Sequence, residues 1–307
     1  MKSTLLALLI LFSLPSLAQE VQFENGSVTL FGDFIDSEDK DKAVLFIAGS
    51  GPTDRNGNNS MMTNNAYKML AESLSESNIA SLRYDKRGVG KSQMEGFTEA
   101  DLRFEQFVND AKAGVQFLIG EGFKSVVIAG HSQGSLVGIL AAQNNEQVSG
   151  FISIAGLGTD MGSTIVEQLS SQAEILGEQS QILIDSIMAG HSPKRINPFL
   201  VSIFRPELFP YLMSCIQYDP AEELSKLTQP SLVLNGTTDI QISVEHAERL
   251  AGESAELKIY EGMNHVLKSA PIERMLNIAT YNQPDLPLVE GLVDDIVLFV
   301  NSQNKGK

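Results

Sequence analysis

Ser125-Val126-Val127-Ile128-Ala129-Gly130-His131-Ser132-Gln133-Gly134-Ser135-Leu136-Val137-Gly138-Ile139-Leu140-Ala141-Ala142 is the stretch whose reading decides the fold. Residues 125–129 are an apolar, β-branched run of strand length, and residues 135–142 can continue as a helix. Between them stands G-x-S-x-G at 130–134. A strand that turns sharply into a helix needs small residues on both sides of the turn, so that the two backbones can approach. Ser132 is then presented at the strand's carboxyl end. The pentapeptide arises by chance in about one chain in ten of this size, given ordinary Gly and Ser usage. Its flanks and its downstream partners therefore carry the argument.

Outward from this point, strands are expected over 28–35, 43–47, 79–84, 126–129, 151–155, 231–234 and 257–260. Helices are expected over 66–74, 102–119, 244–251 and 288–301. Strands alternating with helices imply a mostly parallel sheet flanked by helices, an α/β architecture. The segment from about 157 to 229 breaks the alternation. Ile165, Leu169, Ala173 and Leu176 recur at helical spacing there, and 198–216 is rich in Phe, Leu, Ile and Met. It reads as a helical cap insertion between two sheet strands. Its apolar residues either line a substrate pocket or pack the insertion onto the core.

The chain has 307 residues, 43% of them hydrophobic and 20% charged, with a formal net charge of −16. That balance suits a globular protein with one large core. It argues against nucleic acid or anionic membrane surfaces as partners. Met1-Lys2-Ser3-Thr4, the apolar residues 5–14 and Ser16-Leu17-Ala18 are expected to form a signal peptide over 1–18, leaving the main domain as 19–307. The expected location is periplasmic or secreted, with no stable membrane insertion after cleavage. Cys215 is the only cysteine, so no disulfide can form within the chain, and no metal-ligand spacing occurs.

A serine hydroxyl needs a base, and the base needs an orienting acid. Of four histidines, His131 adjoins Ser132, His191 falls in the insertion and His246 lies inside a helix. His265 alone follows a downstream strand on a Gly-containing loop, Glu261-Gly262-Met263-Asn264-His265, so it is the candidate base. Asp239, after Leu234-Asn235-Gly236-Thr237-Thr238, is the candidate acid, with Asp160 as competitor. An oxyanion requires two backbone N–H donors. Gln133 supplies one candidate. Ser50, in Ala48-Gly49-Ser50-Gly51-Pro52, supplies the other, with Gly51 the runner-up. No metal or organic cofactor is expected for this chemistry.

On these residues the chain resembles the α/β-hydrolase superfamily over nearly its whole length. Asp85-Lys86-Arg87-Gly88-Val89-Gly90-Lys91-Ser92 is similar to that superfamily's D-x-R-G-x-G-x-S turn. Gly49-Ser50-Gly51-Pro52-Thr53-Asp54-Arg55-Asn56-Gly57-Asn58 is similar to the oxyanion loop of a bacterial esterase branch, described as serine aminopeptidase-like or dienelactone hydrolase-like. Tyr218-Asp219-Pro220 and Asp239-Ile240-Gln241 look like the same branch. Ala48 departs from it, standing where many relatives have His. The resemblance implies an α/β-hydrolase fold and a serine hydrolase, with a small carboxylic ester of short to medium acyl chain as substrate. Gly90-Lys91-Ser92 does not complete a phosphate-binding loop, because Asp85 replaces the required glycine. Arg87 is expected in structural ion pairs.

Three alternatives share these motifs. An aminopeptidase would use Glu167, Glu174, Glu178 or Asp185 of the insertion to hold a substrate amine. Thioesterase or lactonase activity would use the same triad. A binding or sensor module would keep the scaffold without the reaction.

Overall fold

Residues Ser125–His131 form β5, the strand from which the molecule is organised. A computed structural model describes residues 18–193 and 195–303. Of the expected signal peptide 1–18, residues 1–17 lie outside the described residues, and its last residue, Ala18, stands just before β1, which opens at Gln19. The strands are β1 Gln19–Asn25, β2 Val28–Ile35, β3 Lys42–Ile47, β4 Ala80–Tyr84, β5, β6 Val148–Ile154, β7 Ser231–Gly236 and β8 Glu256–Tyr260. They form one sheet in the order β1-β2-β4-β3-β5-β6-β7-β8. The pairs β1–β2 and β2–β4 are antiparallel, and the five pairs from β4 to β8 are parallel.

Burial explains why these segments are strands. All six residues of β3 and all five of β4 are buried, as expected of parallel strands covered on both faces. Each fully buried Leu, Ile or Phe side chain there contributes roughly 1.5–3 kcal/mol of transfer free energy. β1 is different. Its sequence QEVQFEN turns only Phe23 fully inward, and it pairs along β2 from Gln19↔Phe34 to Asn25↔Val28. An exposed edge strand of this kind has too little apolar periodicity to be expected from sequence.

The helices are α1 Ala66–Glu76, α2 Phe104–Gly120, α3 Gln133–Ala142, α4 Met161–Ser170, α5 Glu174–Met188, α6 Val201–Phe204, α7 Phe209–Ile216, α8 Pro220–Ser225, α9 Val244–Ala251, α10 Arg274–Ala279 and α11 Leu292–Ser302. α3 is buried on nearly every side beneath the sheet's centre. α4 to α8 lie between β6 and β7. Ile165, Leu169, Leu183, Ile187 and Leu212 of this segment join the main core, whereas Ile175, Ile182, Phe199 and Met213 are exposed. Among the described residues, no helix is long and apolar enough to cross a membrane.

The sheet reverses its order of travel at β3, with β4 on one side and β5 on the other. Loops leaving the carboxyl ends of β3, β5, β7 and β8 therefore converge on one edge.

Candidate active site

Ser132 sits at the junction of β5 and α3 with φ 52° and ψ −125°, a conformation that costs about 1–3 kcal/mol for a residue with a side chain. The surroundings hold it there. Its N–H donates to Ile154 O at 2.9 Å, and its carbonyl accepts from Ser135 N at 3.0 Å. The two motif glycines are dictated by contact. A Cβ on Gly130 would lie 2.2 Å from Gly134 O, and one on Gly134 would lie 2.4 Å from Ile47 O. No larger residue fits either position without moving backbone.

His265 and Asp239 form a direct pair. His265 Nδ1 lies 2.8 Å from Asp239 Oδ2, and both side chains are buried. The other carboxylate oxygen, Oδ1, accepts from Gln241 N at 2.8 Å and Ile242 N at 3.0 Å. Asp239 is thus fixed in rotation, and with it the imidazole edge it faces. The competing acid is elsewhere. Asp160 caps α4, accepting from Ser163 N at 3.0 Å and from Ser163 Oγ at 2.6 Å.

The loop carrying His265 is pinned by Asn264, which is fully buried. Its Oδ1 accepts from Val266 N and Lys268 N at 3.2 and 3.0 Å, and its Nδ2 donates to Thr280 Oγ1 at 2.7 Å. A second support comes from His131. Its Nε2 donates to the backbone oxygen of His265 at 2.8 Å, and its Nδ1 accepts from Tyr67 Oη at 2.8 Å. The rings of His131 and His265 are 4.6 Å apart. Burial first, and the neighbouring His265 second, pull the His131 pKa down to about 3, so the ring stays neutral. His131 is held neutral and braces the loop that carries His265.

Ser50, Ser132 and His265 line a single cleft of about 70 Å³, with Asp239 directly behind His265. Its remaining walls come from the loop after β3 (Thr53, Gly57, Met62, Asn64), from Ala66 and Tyr67 of α1, and from Gln241. No described residue of the 157–229 insertion lines it. Ile165, Leu169, Leu183 and Leu212 of the insertion pack onto the core, while Ile187, Phe209 and Met213 border a separate cavity. Among the described residues, the N–H groups of Ser50 and Gln133 have no hydrogen-bond acceptor within the protein. Gln133 turns its side chain towards the insertion, where Tyr211 Oη donates to its Oε1 at 2.7 Å.

Other candidates have structural posts. His246 accepts from Gly158 N at 3.0 Å through Nδ1 and pairs with Glu167 at 2.6 Å. His191 borders a separate surface cavity of about 490 Å³. Arg87 grips buried Asp110 at 2.6 and 2.7 Å. Among the described residues, no group of three or more His, Cys, Asp or Glu gathers as metal ligands. Tyr67 and Lys86, both built into this edge, gave no sequence signal of their role. Their contacts cross 64 and 37 residues of chain.

The strand order, the strained serine turn and the loops at the carboxyl edge are those of the α/β-hydrolase fold. Residues 61–202 match the family model described as serine aminopeptidase, S33, a stretch that includes Ser132 and ends before Asp239 and His265. The structure is similar to the esterase Pf2001 of Pyrococcus furiosus, with 18% identity and TM-score 0.61 over 94% of this chain and 91% of that one. It is similar to Est1E from Butyrivibrio proteoclasticus, solved with ferulic acid bound, with 15% identity and TM-score 0.61 over 92% and 98% of the two chains. It is also similar to a proline iminopeptidase of Mycobacterium smegmatis, with 13% identity and TM-score 0.61 over 93% and 98%. No curated protein sequence matches the chain.

Proposed function

We propose that the protein is an exported serine hydrolase that cleaves small carboxylic esters through an acyl-enzyme. Ser132 Oγ attacks the acyl carbonyl carbon while His265 Nε2 takes its proton. Asp239 holds the imidazole in the tautomer that leaves Nε2 free to accept, and stabilises the imidazolium. The N–H groups of Ser50 and Gln133 receive the oxyanion. The imidazolium returns the proton to the departing alcohol. Water, activated by the same imidazole, then releases the acid and restores Ser132.

The observation that carries this reading is the meeting of Ser50, Ser132 and His265 on one cleft, with His265 held by Asp239 and the adjacent Gln133 N–H without a protein acceptor among the described residues. The cleft's size favours the short end of the acyl range. At about 70 Å³ it is roughly half the ~150 Å³ cavity that holds benzene. Its lining contains no Asp or Glu. A substrate ammonium would therefore lack a counter-charge, which favours simple esters over aminopeptidase substrates. Glu174, Glu178 and Asp185 lie on α5 of the insertion, away from the cleft, and Glu167 is engaged by His246. Export rests on the basic start and apolar run of the leader sequence.

The test is hydrolysis of p-nitrophenyl esters of increasing acyl length by the wild type and Ser132→Ala, beside an aminoacyl p-nitroanilide. The proposal expects the highest kcat/KM on chains of about two to four carbons, none with Ser132→Ala, and negligible anilide cleavage. Preference for the anilide, or activity surviving in Ser132→Ala, overturns it.

A further inference from the structure

Lys86 follows β4 and is buried, with 7% of its surface exposed. Among the described residues it has no carboxylate partner; its ammonium meets only backbone carbonyls and, 6.0 Å away, the ring of Phe107. Nζ donates to Gly49 O and, at 2.7 Å, to Gly51 O. Burial without a counter-charge pulls its pKa down to about 7. An unpaired cation in the interior is a standing cost to the fold. The carbonyls it holds give it a purpose.

Those two carbonyls bracket Ser50. In a planar trans peptide the C=O and the following N–H point to opposite sides. With Gly49 O held towards Lys86, the N–H of Ser50, in the same peptide unit, must point away from Lys86. Gly49, Ser50 and Ser132 together line the cleft. Gly49 lies so close to the nucleophile that a Cβ there would be 3.0 Å from Ser132 Cβ. The next carbonyl, Ser50 O, accepts from Thr53 Oγ1 at 3.1 Å. The third, Gly51 O, precedes Pro52, which has no N–H to offer. All three carbonyls of the turn are therefore tied back, and Ser50 N–H has no acceptor in the protein. A flipped Gly49–Ser50 peptide would release Lys86 and aim a carbonyl oxygen at the site where negative charge develops.

We propose that Lys86 is a positioning residue that locks the Gly49–Ser50 peptide with its N–H directed at the oxyanion. This rests on the ester-hydrolase reading above. The lock acts only when charge appears on the acyl oxygen, so its loss is felt in the transition state and not in ground-state binding.

The test compares the wild type with Lys86→Met and Lys86→Arg. Each protein is measured for kcat and KM on p-nitrophenyl acetate, and for inhibition by a trifluoromethyl ketone that forms a tetrahedral oxyanion on Ser132. Lys86→Met is expected to lose about 10²–10³-fold in kcat, the scale of one oxyanion donor, with KM within about threefold. Affinity for the ketone falls by a similar factor. Lys86→Arg recovers part of both. Unchanged kcat and ketone affinity in folded Lys86→Met overturn the proposal, as does a loss confined to KM. If Lys86→Met does not fold, Lys86→Gln keeps one donor and reads the same quantity: selective loss of ketone affinity supports the lock, and unchanged affinity refutes it. Wild-type protein inert towards both ester and ketone would refute the ester-hydrolase reading itself, a result distinct from failure of the lock.

Discussion

Replacing Asp239 with asparagine changes one oxygen to an amide nitrogen and leaves the volume almost untouched. Its consequence can be worked from three hydrogen bonds. Oδ1 accepts from the N–H groups of Gln241 and Ile242, while Oδ2 faces His265 Nδ1 at 2.8 Å. In the variant the remaining oxygen must stay on the two backbone donors. The reverse orientation would set an NH₂ against them, leaving the buried Ile242 N–H and the part-buried Gln241 N–H unpaired at about 1–3 kcal/mol each. The side-chain NH₂ is thus held towards His265 with about 2–6 kcal/mol behind it. Nδ1 must then accept, and the imidazole proton moves to Nε2, the atom that should take the proton of Ser132. Recovering the working tautomer costs that same 2–6 kcal/mol, or roughly 30-fold to a few times 10⁴-fold in rate. The equivalent change in a serine protease triad costs about 10⁴-fold. Steady-state hydrolysis of p-nitrophenyl acetate, with melting curves to show an unchanged fold, measures it. A kcat for Asp239→Asn within tenfold of wild type would refute the reasoning.

Two further outcomes follow from buried charge. Asp110 is fully buried and takes both Arg87 contacts, with Asn25 Nδ2 as its other donor at 2.7 Å. Arg87→Met strands that carboxylate and is expected to cost about 3–5 kcal/mol, lowering Tm by on the order of 10 °C in thermal melts. His131 has its pKa lowered from 6.5 to about 3, so between those values the unfolded chain binds the extra proton. Stability therefore falls as pH falls through this window, by about 1.4 kcal/mol per pH unit from this group. Urea unfolding between pH 6 and pH 4 should show a shallower loss for His131→Asn than for wild type; equal slopes would contradict the assignment.

The parallel strands were readable because burial on both faces makes them continuous apolar runs, as in residues 43–47 and 125–131. β1 escaped because its outward residues are polar and only Phe23 is fully buried. α10 escaped because it spans six residues, and its Met275 and Leu276 face outward. Ser132, Asp239 and His265 could be named as candidates, and their nearness expected, because each follows a strand and the chain order limits the choices. The braces were not. Tyr67 reaches His131 from another helix, and Lys86 reaches Gly49 across the sheet edge. Nothing local distinguishes a Tyr inside an amphipathic helix, or a Lys in a basic turn, as part of such a network. The insertion's apolar residues also read equally well as lining or packing, since a helix face carries no label for what it meets.

The central claim is that Ser132 is a nucleophile activated by His265. Labelling with a fluorophosphonate, followed by intact-mass analysis and peptide mapping, tests it most directly. One adduct per chain is expected, on Ser132, formed rapidly in the wild type, lost in Ser132→Ala and slowed by orders of magnitude in His265→Ala. An unlabelled folded wild type, or an adduct on any other residue, would contradict it.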